Sequence, residues 1–486
     1  MAERLAFTFG GIRRELRDRV DWIRRPEVGT LSEATAPFLP PVERPNWGFW
    51  GVFAFTALLF FRPQDTAPFL APLHLPEVVA ICAFLAMVVH RLQRKLPVLV
   101  MTPETLGVAA MSLVMVGTIP FSMWPGGALN TFTEVYFKVV VVFILMVNSV
   151  RNIRSLQWLT WLIVFAMGYV AFRGVLGFVT GSDLIKGGRL EGSISGLMGN
   201  PNDLAMNMVT FLPLAIMLAI TKRPSLHRAV AGFIAVVMAA TVLFTQSRAG
   251  LLGMGAMLAV LVLEGRRIRP GLGVATLVVL LAATPFMPAW FWVRLGSIAD
   301  SSQDESGSRQ ARKDVMWQGW YTFLEHPLTG VGAGQFKNYN PPDRLEPWHE
   351  THNVLLQVAA ELGIFGLFVF LLLVWQAVSA LLWMRRRFVV ETRARPPSGR
   401  IDLVHVTDAF RIQERAWLRM HSVAMAASLV GWFVCAQFAS VGYYWTFYYL
   451  LALIVAGREL TKDRIVAAHV ASEPARGQAW KRWALA

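Results

Sequence analysis

The chain has 486 residues, of which 55% are hydrophobic, and it carries a formal net charge of +15 with only two cysteines. This apolar content exceeds the ~45–50% of ordinary soluble domains and is concentrated in blocks of about 15 to 25 residues, the length that crosses ~30 Å of hydrocarbon. The cysteines, Cys82 and Cys435, lie in apolar blocks and cannot build a disulfide framework or a zinc site. The positive charge lies between the blocks, which argues against a nucleic-acid-binding surface and for a membrane topology.

The sequence predicts an all-α, polytopic helical membrane protein with about twelve transmembrane helices. Residues 1–46 form a basic segment without the apolar core and cleavage site of a signal peptide, and it is expected to lie in the cytoplasm. The predicted spans of the membrane domain, residues 47–460, are 47–61, 75–90, 104–121, 134–149, 156–179, 203–221, 229–244, 249–264, 271–288, 353–384, 421–438 and 440–457. Residues 461–486 are expected to form a cytoplasmic tail.

The distribution of Lys and Arg predicts which connections are cytoplasmic, because positive residues accumulate on that side. With a cytoplasmic N-terminus, every second connection should be basic. That pattern holds for "HRLQRK", "RNIR", "TKRPSLHR", "EGRRIR" and "RRRFVVETRAR". The last of these opens a predicted cytoplasmic insert, residues 385–420, and the alternation places the C-terminus in the cytoplasm as well.

Three connections on the opposite, outer face hold basic residues against this trend. Arg189 lies in the first, Arg248 in the tight turn "FTQSRAGLL", and Arg309 and Arg312 in the long loop 289–352 that precedes the tenth span. An arginine at the bilayer centre costs ~2.5–3.5 kcal/mol, so Arg248 faces a cavity or a partner unless it snorkels to the headgroups. Several guanidinium groups on one face predict a site for a strongly anionic group, because arginine binds phosphate oxygens in a bidentate fork.

The long loop ends in "PWHETHN", directly before an apolar run. His352 is a candidate catalytic residue because imidazole exchanges a proton near neutral pH, and His349, Glu350 and Asn353 are candidate supporting groups. A structural or interfacial role is the alternative for the histidines. The glycines of "GVGAGQF" match neither a Walker loop nor a dinucleotide fingerprint and are expected to shape a tight turn. No metal or cofactor motif is present, so arginine is expected to neutralise any bound phosphate.

The motifs "GRLEGSISGLMGNPNDLA", "SRAGLL", "HPLTGVGAGQF" and "HNVLLQVAAELGIFGLFVFL", in this order and spacing, resemble the O-antigen ligase superfamily over residues 185–385. The resemblance implies transfer of a glycan from an undecaprenyl-diphosphate carrier to a lipid, glycan or protein acceptor at the periplasmic face of a bacterial inner membrane. It implies His352 as the catalytic histidine, Arg189 and Arg248 as diphosphate-binding arginines, and either Arg309 or Arg312 as the loop arginine.

Two alternatives fit the same motifs or the same chemistry. A polysaccharide polymerase uses the same donor as a ligase but hands the glycan to another carrier-linked chain. A transporter or flippase of an anionic substrate, a protein of a different class, also needs many spans and embedded arginines, and such folds commonly contain internal repeats and broken helices. No clear internal repeat is visible in the sequence.

Overall fold

The computed structural model describes residues 46–63, 68–185, 188–192, 198–221, 224–268, 292, 296, 308–339, 349–393 and 404–471. Twelve helices occur in this part of the chain: α1 (Trp47–Phe61), α2 (Leu75–Gln93), α3 (Pro103–Thr118), α4 (Pro125–Ser149), α5 (Ile153–Thr180), α6 (Pro201–Ile220), α7 (Ser225–Phe244), α8 (Arg248–Ile268), α9 (Ser308–Glu325), α10 (Val354–Arg393), α11 (Val404–Ala436) and α12 (Trp445–Ala471). Two antiparallel strands of two residues each, β1 (Leu184–Ile185) and β2 (Arg189–Leu190), lie between α5 and α6.

Within these ranges, nine helices are long and apolar enough to cross a membrane, which confirms the predicted all-α polytopic class. They are α2 to α8, α10 and α11. Of the other predicted spans, the first is the shorter apolar helix α1 and the last corresponds to α12, which begins at Trp445. The predicted span 271–288 lies outside the described residues, as does the basic segment 1–45.

The described parts of two charged stretches, predicted as a cytoplasmic insert and a tail, are helical. Helix α10 runs to Arg393, α11 begins at Val404, and α12 runs to Ala471. Apolar composition marks where a helix leaves the membrane, but backbone hydrogen bonding continues through charged residues such as Arg and Glu, which have high helix propensity. The end of a span is therefore not the end of its helix.

Local capping signals position the helix that leads into the candidate site. The side chain of Asn200 accepts hydrogen bonds from the backbone N–H groups of Asn202 and Asp203, both at 2.9 Å, and Pro201 occupies the first helical position of α6. Asparagine is a preferred N-cap because its side-chain oxygen accepts bonds from the first N–H groups of the helix, and proline is preferred at the first helical position because it has no N–H that needs an acceptor. The "GNPND" motif is thus a helix start.

Helix α6 is the most enclosed of the nine membrane-length helices, because 78% of its 18-residue apolar stretch is buried inside the protein. It packs against α5, α7, α8 and α11. Beside it, aromatic rings fill the core: Trp432 stacks on Phe447 at 4.7 Å between ring centroids, and Phe60 contacts Phe211 edge to face at 5.7 Å. Such ring pairs add about 0.5–1.5 kcal/mol beyond their area of burial.

Contacts between distant connections define the two ends of the bundle. At one end, Arg91 Nη1 donates to the Asn148 carbonyl at 3.3 Å, and Arg385 pairs with Glu264 at 3.1 Å. These contacts join connections that the positive-residue pattern assigns to one side. At the other end, called here the site end, the segment before α8 contacts the first turn of α6, the start of α12 contacts α6, and the segment before α10 contacts the segment before α12.

Helix α10 is broken at Gly363, whose φ of 66° and ψ of −163° are not helical. The N–H of Ile364 donates to the Pro327 carbonyl at 2.8 Å, outside the helix. A Cβ on Gly363 would lie 2.3 Å from the Leu328 carbonyl oxygen, so the close approach of this loop requires glycine. The loop satisfies the backbone groups that the break exposes, as a membrane-embedded helix requires.

Candidate functional site

Arg189 is held against the turn that precedes α8. It lies on β2, is half-buried, and donates from Nε to the Thr245 carbonyl and from Nη2 to Asn202 Oδ1, both at 3.2 Å. The hairpin and this turn are further joined by Gln246, whose Nε2 donates to the Gly188 carbonyl at 3.1 Å. The first two connections that carry outer arginines are therefore in direct contact.

Asn202 connects this arginine to the "SRAG" motif. Its Oδ1 accepts a second hydrogen bond, from Ser247 Oγ at 2.9 Å, and Arg248 follows as the half-buried first residue of α8. We call Arg189, Asn202, Ser247 and Arg248 the arginine cluster. Its assembly needs the start of α6, the start of α8 and the hairpin together.

The segment before α10 is fixed by Ser440, which lies between α11 and α12. Ser440 Oγ shares a hydrogen bond of 3.0 Å with Thr351 Oγ1 and accepts one of 3.1 Å from the His352 N–H. His352 has a positive φ of 49°, a conformation that costs of order 1–3 kcal/mol for a non-glycine residue and persists where the surroundings impose it. The hydrogen bonds of Thr351 and His352 to Ser440 hold the backbone of His352 in this conformation.

Asn353 has a structural part in the same segment. Its Oδ1 accepts from two backbone N–H groups in the first turn of α10, both at 3.0 Å, and its Nδ2 donates to the Gln437 carbonyl at 3.1 Å. It is thus the N-cap of α10 and anchors this helix to the end of α11. Its predicted supporting role becomes one of positioning His352, its neighbour.

The pKa of His352 is lowered to about 4, first by burial and then by the positive charges of Arg312 and His349. The imidazole is therefore neutral at neutral pH and can accept a proton or a hydrogen bond. Arg312 lies on α9, and its positive charge acts on His352. The side chain of Arg309, one turn earlier on α9, lies outside the described residues.

Glu350, in the histidine segment, lies within electrostatic range of the start of α6. It interacts electrostatically with Asp203, the residue that follows Asn202. The pKa of the Glu350 carboxyl is raised by burial, against the opposing effects of Lys337 and Ser440. The same interactions extend to Tyr444, whose pKa rises to about 12 through burial and the nearby carboxylates of Glu350, Asp203 and Glu361. All these groups lie at the site end.

Glu361, which sequence reasoning missed, organises the "GVGAGQF" turn. Only 4% exposed, it accepts hydrogen bonds from the Gly334 N–H at 2.9 Å, the Phe336 N–H at 3.4 Å and Gln357 Nε2 at 3.4 Å. The backbone of the predicted tight turn therefore donates to the carboxylate of Glu361, which belongs to the membrane-length helix α10. A carboxylate inside an apolar run was the available signal, because such residues are rare and functional in membranes.

A cavity of about 220 Å³ opens between α4, the "GVGAGQF" turn, the start of α10 and the segment before α12. Glu350 is the predicted site residue that lines it, together with Asn130, Thr131, Val135, Gly334, Lys337, Gln357, Glu361, Ser440, Tyr443 and Tyr444. Ser440 is shared between the cavity wall and the His352 segment. The cavity therefore adjoins the candidate catalytic histidine.

Chemically, the site end combines guanidinium groups, a neutral imidazole and a polar cavity. Guanidinium groups suit an anion such as a phosphate, and the imidazole suits proton acceptance from a hydroxyl group. Among the residues that the structure describes, no three His, Cys, Asp or Glu side chains are grouped to hold a metal ion.

Comparison with known families decides the class of this arrangement. Residues 233–371 match the family model described as O-antigen ligase (Wzy_C). The chain carries an O-antigen ligase domain. This confirms the family resemblance drawn from the motifs, over a shorter stretch than the 185–385 predicted. No curated protein matches the chain.

The O-antigen ligase domain contains most of the site end but not all of it. It includes Arg248, Arg312, His352 and the glycine turn with Glu361. Arg189 and Asn202 precede it, and Ser440 follows it. The contacts of these outlying residues complete the arginine cluster and hold His352, so the site depends on segments beyond the matched domain.

Proposed function

We propose that this protein is a membrane glycosyltransferase of the O-antigen ligase type. It transfers a glycan from an undecaprenyl-diphosphate-linked donor to an acceptor hydroxyl at the periplasmic face of a bacterial inner membrane, in surface polysaccharide or lipopolysaccharide biosynthesis. The observation that carries this proposal is the presence, within one O-antigen ligase domain, of Arg248, Arg312 and His352, with Arg189 bonded to the turn that precedes Arg248.

The donor diphosphate binds at the arginine cluster, with Arg312, whose charge acts on His352, as the loop arginine and Arg309 as the alternative. Hydrogen bonds from Arg189 to Thr245 and Asn202 hold its guanidinium plane before any ligand arrives. A preorganised positive group stabilises the charge that develops on the diphosphate as the anomeric bond breaks, and this electrostatic effect is usually the largest in catalysis. No metal or cofactor is needed for this step.

His352 takes the proton of the acceptor hydroxyl. The hydroxyl oxygen attacks the anomeric carbon, the bond from that carbon to the diphosphate oxygen breaks, and undecaprenyl diphosphate leaves, with inversion at the anomeric centre. Because Arg312 helps to lower the pKa of His352, a bound diphosphate beside Arg312 offsets that charge and raises the pKa. The imidazole then becomes a stronger base when the donor is in place.

The positive-residue pattern supports the proposed orientation of the protein. Arg91 and Arg385 lie in connections assigned to the cytoplasm and make their contacts at the end of the bundle opposite the arginine cluster. This arrangement supports a periplasmic location of the site end and a cytoplasmic location of the N- and C-termini. Donor and acceptor would then meet outside the cytoplasm, within reach of the lipid carrier.

Substitution of His352 tests the mechanism directly. Purified His352→Ala protein is expected to transfer glycan from the lipid-linked donor on the order of 10²–10⁴-fold more slowly, the usual contribution of a general base. His227→Ala is the matched control, since His227 lies near the start of α7, where it contacts Trp161 of α5, whereas the turn at the site end follows the last residues of α7. Undiminished transfer by His352→Ala, with correct membrane insertion, removes this histidine from the mechanism.

Arg248→Lys tests recognition of the diphosphate. Lysine retains the positive charge but loses the planar fork, so transfer is expected to fall by about 10²-fold, the loss typical of a removed electrostatic contact in a transition state. A fully active Arg248→Lys protein would show that a point charge suffices. Membrane insertion is checked in both variants by detergent extraction and size-exclusion chromatography.

A deletion strain distinguishes a ligase from a polymerase. Mass analysis of carrier-linked glycans is expected to show long chains on undecaprenyl diphosphate, because a ligase acts after polymerisation. Single repeat units would instead identify the polymerase. The transporter alternative calls for broken helices, and α10 is broken at Gly363, where the Ile364 N–H donates to the Pro327 carbonyl at 2.8 Å. Movement of intact labelled donor across liposomes would support transport.

A further inference from the structure

We infer that the cavity beside Glu350 is the acceptor subsite, and that it binds one sugar ring of the acceptor through its hydroxyl groups. This inference rests on the proposed function and adds the place and the chemistry of acceptor recognition. The cavity is distinct from the arginine cluster, which we assign to the donor diphosphate, and it adjoins the His352 segment through Ser440.

The size of the cavity selects a small group. Its volume of about 220 Å³ lies below the ~300–1,000 Å³ of pockets that enclose drug-sized ligands. A single ring fits this space, whereas several linked sugars do not. The remainder of an acceptor would then extend away from the protein, which leaves its length unconstrained.

The polar groups of the lining favour a neutral ligand over a phosphate group. Glu350 and Glu361 supply two carboxylates against the single cation of Lys337. Carboxylates repel an anion, so the donor diphosphate is disfavoured here and favoured at the arginines. The lining also includes side-chain amides from Asn130 and Gln357. Neutral hydroxyl groups donate to the carboxylates and accept from the amides and the ammonium group.

The two carboxylates have different parts. Glu361 already accepts from the Gly334 and Phe336 N–H groups, so it is a positioning residue that shapes the wall carrying Lys337. Glu350 is accessible within the cavity and lies between His349 and Thr351. A sugar hydroxyl bound to Glu350 is therefore close to the histidine segment that the mechanism uses.

Helix α4 carries a second, independent feature at this position. Thr131–Tyr136 form a six-residue π-helix, and Thr131 and Val135 from this segment line the cavity. π-helical turns are rare and occur frequently at functional sites, because the wider turn displaces side chains from their α-helical positions. Here the wider turn directs the α4 wall toward Glu350 and Ser440.

Two conservative substitutions with matched controls test the assignment. Asn130→Ala and Tyr444→Phe each remove one polar group from the wall. Their controls are Thr133→Val, an exposed residue of the same π-helix, and Tyr339→Phe, whose hydroxyl bonds to Glu325 outside the cavity. Transfer is measured with full-length protein in detergent, with undecaprenyl-diphosphate glycan as donor and lipid A–core from the deletion strain as acceptor.

The expected result is a rise in KM for the acceptor of about tenfold in each cavity variant, the effect of one lost hydrogen bond to a ligand, with KM for the donor within about twofold. The controls are expected to retain both KM values. An unchanged acceptor KM in both cavity variants, or a rise confined to the donor KM, would overturn the inference.

Occlusion of the cavity separates this inference from the proposed function. Val135→Phe fills the space from the α4 wall, and binding of methyl glycosides to wild-type and variant protein is measured by saturation-transfer NMR. Binding to the wild type that is lost in Val135→Phe supports a sugar site even if no glycan transfer occurs, in which case the proposed function alone fails. Equal binding by both proteins, or no binding by a wild type that does transfer glycan, shows that the cavity is not the acceptor subsite.

Discussion

Glu361→Ala is expected to release the "GVGAGQF" turn from α10. The buried carboxylate accepts from the Gly334 N–H at 2.9 Å, from the Phe336 N–H at 3.4 Å and from Gln357 Nε2 at 3.4 Å. Alanine provides none of these acceptors, and its methyl group leaves a space in a region where Glu361 is 4% exposed. The two backbone donors then have to find water or another partner.

The magnitude follows from the number and length of these bonds. A buried donor without an acceptor costs about 1–3 kcal/mol, and bonds to a charged group are at the stronger end. The bond to Gly334 contributes most because it is the shortest, and the two at 3.4 Å contribute less. The free energy of local opening of the turn should therefore fall by about 2–4 kcal/mol.

Hydrogen exchange measured by mass spectrometry on the detergent-solubilised protein reports this opening. Since ~1.4 kcal/mol corresponds to a factor of ten, the amides of Gly334 and Phe336 should exchange about 30- to 1,000-fold faster. Lys337, which lies next to Phe336 and lines the cavity, should lose its fixed position, and acceptor KM should rise as well. Glu361→Gln retains one acceptor oxygen and should give an intermediate exchange rate.

Glu134→Ala is the matched control for Glu361→Ala. Glu134 pairs with Lys138 at 2.9 Å, a pair that the four-residue spacing predicts, but its side chain is 58% exposed. Exposed pairs contribute only about 0–1 kcal/mol, so exchange in the "GVGAGQF" turn should not change. If Glu361→Ala gave the same exchange rates as Glu134→Ala, the carboxylate could not be what holds the turn, and its assigned positioning role would be wrong.

Three further predictions follow from the same contacts. Gly363→Ala should lower the thermal unfolding temperature, because the alanine Cβ would lie 2.3 Å from a backbone oxygen and the residue has a positive φ. The control Gly255→Ala has open space around its Cβ and should be neutral or slightly stabilising, so equal unfolding temperatures for the two variants would contradict the break in α10. Arg312→Gln should raise the pKa of His352 from about 4 toward its ordinary value, so that the acidic limb of the pH–rate profile moves to higher pH; an unmoved limb would exclude this arginine as the neighbour. Asn202→Ala should raise the KM for the donor about tenfold and leave the KM for the acceptor unchanged, because Arg189 loses its side-chain partner. If steady-state kinetics showed a raised acceptor KM and an unchanged donor KM, the arginine cluster would not be the donor site.

Some features of the site were accessible from the sequence because they depend on residue type and order. Arg248 between two apolar spans and His352 before a third are costly placements that indicate a function. Asn353, next to His352, was named as a supporting residue on proximity alone, whereas its bonds show it to be the cap of α10. Sequence spacing identified these positions without distinguishing a chemical role from a structural one.

Other features depend on contacts between residues far apart in the chain. The bond from Arg189 to Asn202 spans 13 residues, that from Ser247 to Asn202 spans 45, and that from His352 to Ser440 spans 88. No local pattern encodes such pairs, since each depends on how separate helices pack. The electrostatic effect of Arg312 on His352 likewise depends on the placement of α9.

The sequence by itself determined that this protein is a bundle of membrane-spanning helices with an O-antigen ligase domain. Crossing a bilayer is a local requirement, because each helix must satisfy its own backbone and present about 20 apolar residues. Only the tertiary structure decided that α10 breaks at Gly363, that Glu361 gathers the glycine turn, and that a polar cavity opens beside Glu350. The physical reason is that a buried carboxylate and a broken helix are stable only when donors and carbonyls from distant segments arrive to pair with them.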